Sequence, residues 1–178
     1  MAKIGIILGS TRDDRAGLAI AQWVTDLAQG RDVDYELIDL KAFDVPILTS
    51  SVIPMAANKN YEDPNVQAWS DAIDACDGYI FVTPEYNHSV PGAFKNAVDS
   101  LGAEWVAKPI AYVGYSFSGG IRAVEAWRLI MANFSMKQLR TQLDISLNTD
   151  MKDGTFTPAD FKIEIVENIC AELEEVLS

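Results

Sequence analysis

The run Lys3-Ile4-Gly5-Ile6-Ile7-Leu8 is apolar and rich in isoleucine, and it stops abruptly at Gly9-Ser10-Thr11-Arg12. A short, nearly uninterrupted apolar segment fits a strand buried on both faces, the environment of a parallel sheet. Apolar residues then recur at helical spacing (Ala16, Ile20, Trp23 or Val24, Leu27), and Gly30 stands where a helix-ending glycine belongs. Strand, turn and helix N-terminus together make a place for an anion, because free backbone N–H groups and the helix dipole converge there. Ser10, Thr11 and Arg12 are the candidate phosphate ligands. The same hydroxyls also suit plain capping of the helix, and the residues alone leave both roles open. The glycine spacing matches neither a dinucleotide fingerprint nor a P-loop.

The rest of the chain repeats this alternation. Residues 34–40 alternate polar and apolar side chains, as a half-exposed edge strand does. A proline-bearing connector of roughly twenty residues follows to Pro64, long enough to act as a lid or a subunit contact. Val66, Trp69, Ile73 and Cys76 mark a helix, Tyr79–Thr83 a third strand, and Phe94, Ala97, Val98 and Leu101 a helix entered through Pro91, with Ser89 or Val90 as its cap. A fourth buried strand spans Pro109–Gly114. The helix over 121–134 is apolar on more than one side, which suits burial by its own domain and by a partner. Leu139, Thr141, Leu143 and Ile145 give a fifth strand, and Phe161, Ile165, Ile169, Leu173 and Val176 a last helix. The expected fold is an α/β three-layer sandwich, one domain over 1–178. Its five-stranded parallel sheet has order 2-1-3-4-5, with helices on both faces.

At 178 residues the chain can bury about 70% of its unfolded surface. Its net charge is −12, without a Lys/Arg-rich block, which argues against nucleic-acid binding. Two cysteines and one histidine make an ordinary zinc site improbable, and Cys76 and Cys170 read as small core residues of a reduced, cytoplasmic protein. No signal peptide or membrane-spanning run is expected.

In the expected sheet the loops after strands one, three and four share one crevice at the switch point. The first suits a phosphate. The second, Pro84-Glu85-Tyr86-Asn87, is rigid and suits the edge of a flat ring. The third, Tyr115 to Gly120, offers backbone that a ligand can approach closely. A phosphate at one end and a planar heterocycle at the other describe FMN.

The sequence resembles the NADPH-dependent FMN reductase family, flavodoxin-like flavoenzymes that include quinone, azo-dye and chromate reductases. The resemblance is carried by Gly9-Ser10-Thr11-Arg12, by the block from Phe81 through Pro84-Glu85-Tyr86-Asn87-His88-Ser89-Val90-Pro91-Gly92 to Ala97, and by Gly119-Gly120 with Arg122-Ala123. It implies that Ser10 and Arg12 hold the FMN phosphate, with N–H groups near Gly17 and Leu18 completing the seat. Pro84, Glu85, Tyr86 and Asn87 border the isoalloxazine, and Ser116, Gly119 and Gly120 close its other side. Many members carry a serine three residues after the arginine. Here Arg15 stands in that place, facing the FMN phosphate, the 2′-phosphate of NADPH, or solvent. The resemblance further implies NADPH or NADH as donor, quinones or other small oxidants as acceptors, ping-pong turnover, and a homodimer or homotetramer. The flavin N5 carries the hydride, so no side chain is assigned a catalytic role. His88 reads as structural or capping, and Arg122 as a substrate contact or a salt bridge. The competing reading is a flavodoxin-like electron carrier without turnover.

Overall fold

The computed structural model describes residues 1–178. Five parallel strands, β1 (Lys3–Leu8), β2 (Asp34–Asp39), β3 (Gly78–Pro84), β4 (Pro109–Ser116) and β5 (Lys137–Ser146), form one sheet in the expected order β2-β1-β3-β4-β5. The helices are α1 (Ala16–Ala28), α2 (Pro54–Ala57), α3 (Pro64–Asp74), α4 (Gly92–Asp99), α5 (Ile121–Ala132) and α6 (Phe161–Leu177).

Alternation along each strand divides the core in two. Ile4, Ile6, Leu8, Ile80, Val82 and Val113 pack with α1 and α6 on one face. Ile7, Tyr79, Phe81 and Tyr112 pack with α3, α4 and α5 on the other. The second face is aromatic. Phe81 lies 4.7 Å from Phe94, 5.3 Å from Trp127 and 5.9 Å from Trp105, centroid to centroid. Asp63 caps α3, its carboxylate accepting from the N–H groups of Asn65 and Val66 at 2.9 and 3.1 Å, with Pro64 at the first helical position.

Several local expectations shift. The cap of α4 is Pro91 itself, whose fixed φ of −65° starts the helix without a side-chain bond. Cys76 lies just beyond α3 rather than within it. The long connector contains a 3-10 turn over Leu40–Phe43 and the short α2, neither with a period long enough to register in sequence. Its route is fixed by tertiary bonds. Asn96 accepts from the Leu48 N–H and donates to the Pro46 carbonyl, and the buried Glu104 carboxylate accepts from Tyr61, Ser70 and the Gly102 N–H. Beyond β5 a hairpin of β6 (Met151–Lys152) and β7 (Thr155–Phe156) folds back so that Phe156 packs edge-on against Trp23. Within the chain α5 buries one stripe, Ala123, Val124, Trp127 and Met131, and leaves Leu129 81% exposed. Phe161, expected on the buried face of α6, is 62% exposed. No helix is long and apolar enough to cross a membrane.

Candidate functional site

Leu8 pairs with Asp39 on one side and Val82 on the other, and the Gly9 N–H continues the ladder to the Val82 carbonyl at 3.0 Å. Gly9 is obligatory: a Cβ there would lie 2.0 Å from the Phe94 ring. From Ser10 to Gly17, none of the eight backbone N–H groups donates within the chain. Helix α1 takes Arg15 as its N-cap, and no side chain bonds its first amides. Neither Ser10 nor Thr11 therefore caps the helix. Instead the buried Ser10 hydroxyl meets the Tyr86 hydroxyl at 3.1 Å.

Gly17 lets α1 close down on β4, since a Cβ there would stand 2.2 Å from the Tyr115 hydroxyl. Burial pushes the Tyr115 hydroxyl well above its ordinary value, which keeps it neutral beneath the loop. Leu18 is half exposed, and its N–H turns back to the Arg15 carbonyl at 3.3 Å. Ten of the fourteen Lys and Arg side chains form ion pairs, leaving Arg12, Lys137, Arg140 and Lys152. Of these only Arg12 belongs to the loops after β1, β3 and β4. Arg15, by contrast, is engaged with the Ser10 carbonyl and Asp39.

The loop after β3 is a two-residue turn. Tyr86 and Ser89 exchange N–H···O bonds of 3.0 and 3.1 Å, and Asn87 and His88 both have positive φ, 49° and 74°. This is type I′ geometry, which asparagine tolerates well. Pro84 is buried at the end of β3, and the Glu85 N–H bonds the Tyr115 carbonyl at 3.2 Å, joining this loop to β4. The Glu85 side chain is 5% exposed and receives the Arg122 Nε at 2.7 Å and the Arg122 N–H at 3.2 Å. Arg122 thus forms an intrachain clamp between the turn and α5. His88 is exposed and leaves the start of α4 uncapped.

The loop after β4 is stitched by one hydroxyl. Ser116 Oγ accepts from the Ser118 and Gly120 N–H groups at 3.0 and 2.9 Å, and its carbonyl accepts from Gly119 at 3.3 Å. Gly119 and Gly120 have φ of 89° and 76°, and a Cβ on Gly120 would meet the Tyr115 nitrogen at 2.3 Å. These glycines serve the turn itself, and their amides are spent inside it. Sequence reasoning missed Asp39, which enters the site only through strand pairing; it placed Tyr115 in the loop after the fourth strand, whereas Tyr115 and Ser116 complete β4 and the Tyr115 side chain packs beneath Gly17. It also missed a cavity of about 370 Å³ beside Thr11, walled by Leu40, Lys41, Val45 and Ala93.

Eight unbonded amides, one unpaired guanidinium and a neighbouring rigid turn meet at the carboxyl ends of adjacent parallel strands of a flavodoxin-like fold. The chain belongs to the NADPH-dependent FMN reductase family, whose model matches residues 2–150. It is 41% identical over 128 residues to the NAD(P)H-dependent FMN reductase ntnL of a Nectria species, a match covering 69% of this chain and 64% of that protein. It is 31% identical over 121 residues to the 2-hydroxy-1,4-benzoquinone reductase of a Burkholderia species, covering 64% of this chain and 60% of that protein. Among solved structures, the fold is shared with FerB, a flavoenzyme NAD(P)H:(acceptor) oxidoreductase from Paracoccus denitrificans. The TM-score is 0.77 at 24% identity, over 98% of both chains.

Proposed function

We propose that this chain is an FMN-dependent NAD(P)H oxidoreductase that passes hydride to quinones or other small oxidants in ping-pong order. The observation that carries the reading is the uninterrupted set of free amides from Ser10 to Gly17 beside the unpaired Arg12. Such a donor set at a helix N-terminus fits a phosphate monoester, with the Arg12 charge opposing the phosphate charge. Ser10, Arg12 and the free amide of Gly17 hold the phosphate, while the Leu18 N–H, expected to join them, is spent on the Arg15 carbonyl. Pro84, Glu85, Tyr86 and Asn87 border the ring, and Ser116, Gly119 and Gly120 shape its other side.

When bound, FMN supplies the hydride chemistry; the protein supplies position. The Glu85–Arg122 clamp fixes the turn against α5, so the free amides of Asn87 and His88 at its tip stay in place. Acceptors of the quinone class are supported by the benzoquinone-reducing relative. The exposed Phe117, Ile121 and Leu129 around the start and outer face of α5 support a homo-oligomer, and the two buried free thiols suit a cytoplasmic protein.

The deciding experiment is steady-state oxidation of NADPH and NADH with a quinone, compared with equal free FMN. Turnover above the free cofactor is expected. Protein that binds FMN yet gives no acceleration would instead be an electron carrier, a role that the net charge of −12 suits through docking on basic partners.

A further inference from the structure

The loop from Ser10 to Arg15 carries four charged residues, Arg12, Asp13, Asp14 and Arg15, yet only one of its cations is left unpaired. Arg15 Nη1 donates to the Ser10 carbonyl at 2.6 Å, and Nη2 forms an ion pair with Asp39. The Arg15 side chain is only 10% exposed. Asp39 is itself well anchored: it is the last residue of β2, pairs in register with Leu8, and accepts from the Lys41 N–H at 3.0 Å through its other oxygen. A second ion pair, Lys41 with Asp13, joins the same two segments, but Asp13 is 90% exposed and that pair contributes little.

A trans peptide is planar, with its C=O and N–H on opposite edges. Drawing the Ser10 carbonyl onto Arg15 therefore turns the Thr11 N–H of the same peptide away from Arg15 and Asp39. That N–H has no partner within the chain. A guanidinium already divided between a carbonyl and a carboxylate would have to surrender one of them to reach an anion, whereas Arg12 surrenders nothing.

We propose that Arg15 is a positioning residue of the phosphate seat: held between Asp39 and the Ser10 carbonyl, it sets the Ser10–Thr11 peptide so that its N–H faces the FMN phosphate, and it does not contact the phosphate. The proposal rests on the flavin reading above. It stands against all three places left open for Arg15 by the sequence, namely direct contact with the FMN phosphate, contact with the 2′-phosphate of NADPH, and solvent. Contact with the FMN phosphate and positioning of the peptide predict opposite signs at Asp39. If Arg15 touched the phosphate, removing the Asp39 charge would free the guanidinium and tighten FMN. If Arg15 acts through the clip, the same change loosens the peptide and weakens FMN.

The test is titration of flavin fluorescence with apo protein, for wild type, Arg15→Ala, Asp39→Asn and the double variant, using FMN and phosphate-free riboflavin. Thermal unfolding checks that each variant is folded. Each single variant is expected to raise the FMN Kd about tenfold, the double variant no more than either single, and the riboflavin Kd is expected to change less than twofold. Unchanged or tighter FMN binding by Asp39→Asn overturns the proposal, as does an equal loss of FMN and riboflavin. Wild-type protein that binds neither flavin overturns the flavin reading itself, a result separate from either of these.

Discussion

The hydroxyl groups of Ser10 and Tyr86 meet at 3.1 Å, joining the loop after β1 to the turn after β3 across two strands that lie side by side. The contact ties the two loops together within the chain. Tyr86→Phe keeps the ring and removes the bond, which carries about 0.5–1.5 kcal/mol. FMN affinity should fall by roughly 2- to 13-fold, measured by fluorescence titration. Affinity equal to wild type would show that the latch has no part in binding.

Arg12 is exposed and unpaired, so the folded apo protein gains little from it. Bound phosphate changes that. Arg12→Ala should cost about 1.5–3 kcal/mol of FMN binding, the range for a hydrogen bond to a charged group, while the apo Tm moves little. Calorimetric titration and thermal melts of the same preparation check both halves.

Gly9 admits no side chain because the Phe94 ring fills the space. Gly9→Ala should destabilise the apo protein by about 1–3 kcal/mol through overpacking, read as a lower midpoint in urea. Wild-type stability would mean that α4 moves aside freely.

Glu174 on α6 receives Arg31 from beyond α1, with Nε and Nη2 at 2.6 and 3.0 Å, and the Tyr35 hydroxyl from β2 at 2.9 Å. The Arg31 bond, with help from Tyr35, holds this carboxyl below its ordinary value of 4.5. A carboxyl with a lowered folded-state pKa contributes stability that is fully present above the unfolded value. That stability is lost as pH falls from about 4.5 through the folded value. Glu174→Gln should therefore lower stability at pH 7 and flatten its acid dependence below about 4.5. Parallel pH profiles of the urea midpoint for wild type and variant would contradict this.

Leu129 is 81% exposed at the centre of the outer face of α5. If this face joins two copies, Leu129→Asp should convert the oligomer to monomer without lowering the stability of the single chain. Sedimentation velocity at micromolar concentration distinguishes the cases, and a monomeric wild type would remove the interface.

The sheet order was legible because buried strands announce themselves by composition and right-handed crossovers leave few ways to connect them. The three loops were legible for a related reason: glycine, proline and hydroxyl residues at strand ends break a pattern that is otherwise apolar. The path of residues 43–63 was not, because it depends on Asn96 and, through Tyr61, on the buried Glu104, side chains that lie far away in sequence.

Gly9-Ser10-Thr11-Arg12 alone establishes a strand-to-helix turn suited to an anion, because the order of an apolar run, a glycine and two hydroxyls is a local property. Which arginine is free to meet that anion is not local. Arg12 and Arg15 are equivalent in charge and only three residues apart; the resemblance gives the phosphate to Arg12 but leaves the direction of Arg15 open. The parallel pairing of β1 with β2 brings Asp39 level with Leu8, and Asp39 engages Arg15 while Arg12 stays unpaired. Tertiary structure made that choice, because a carboxylate acts on whichever cation the fold brings within a few ångströms.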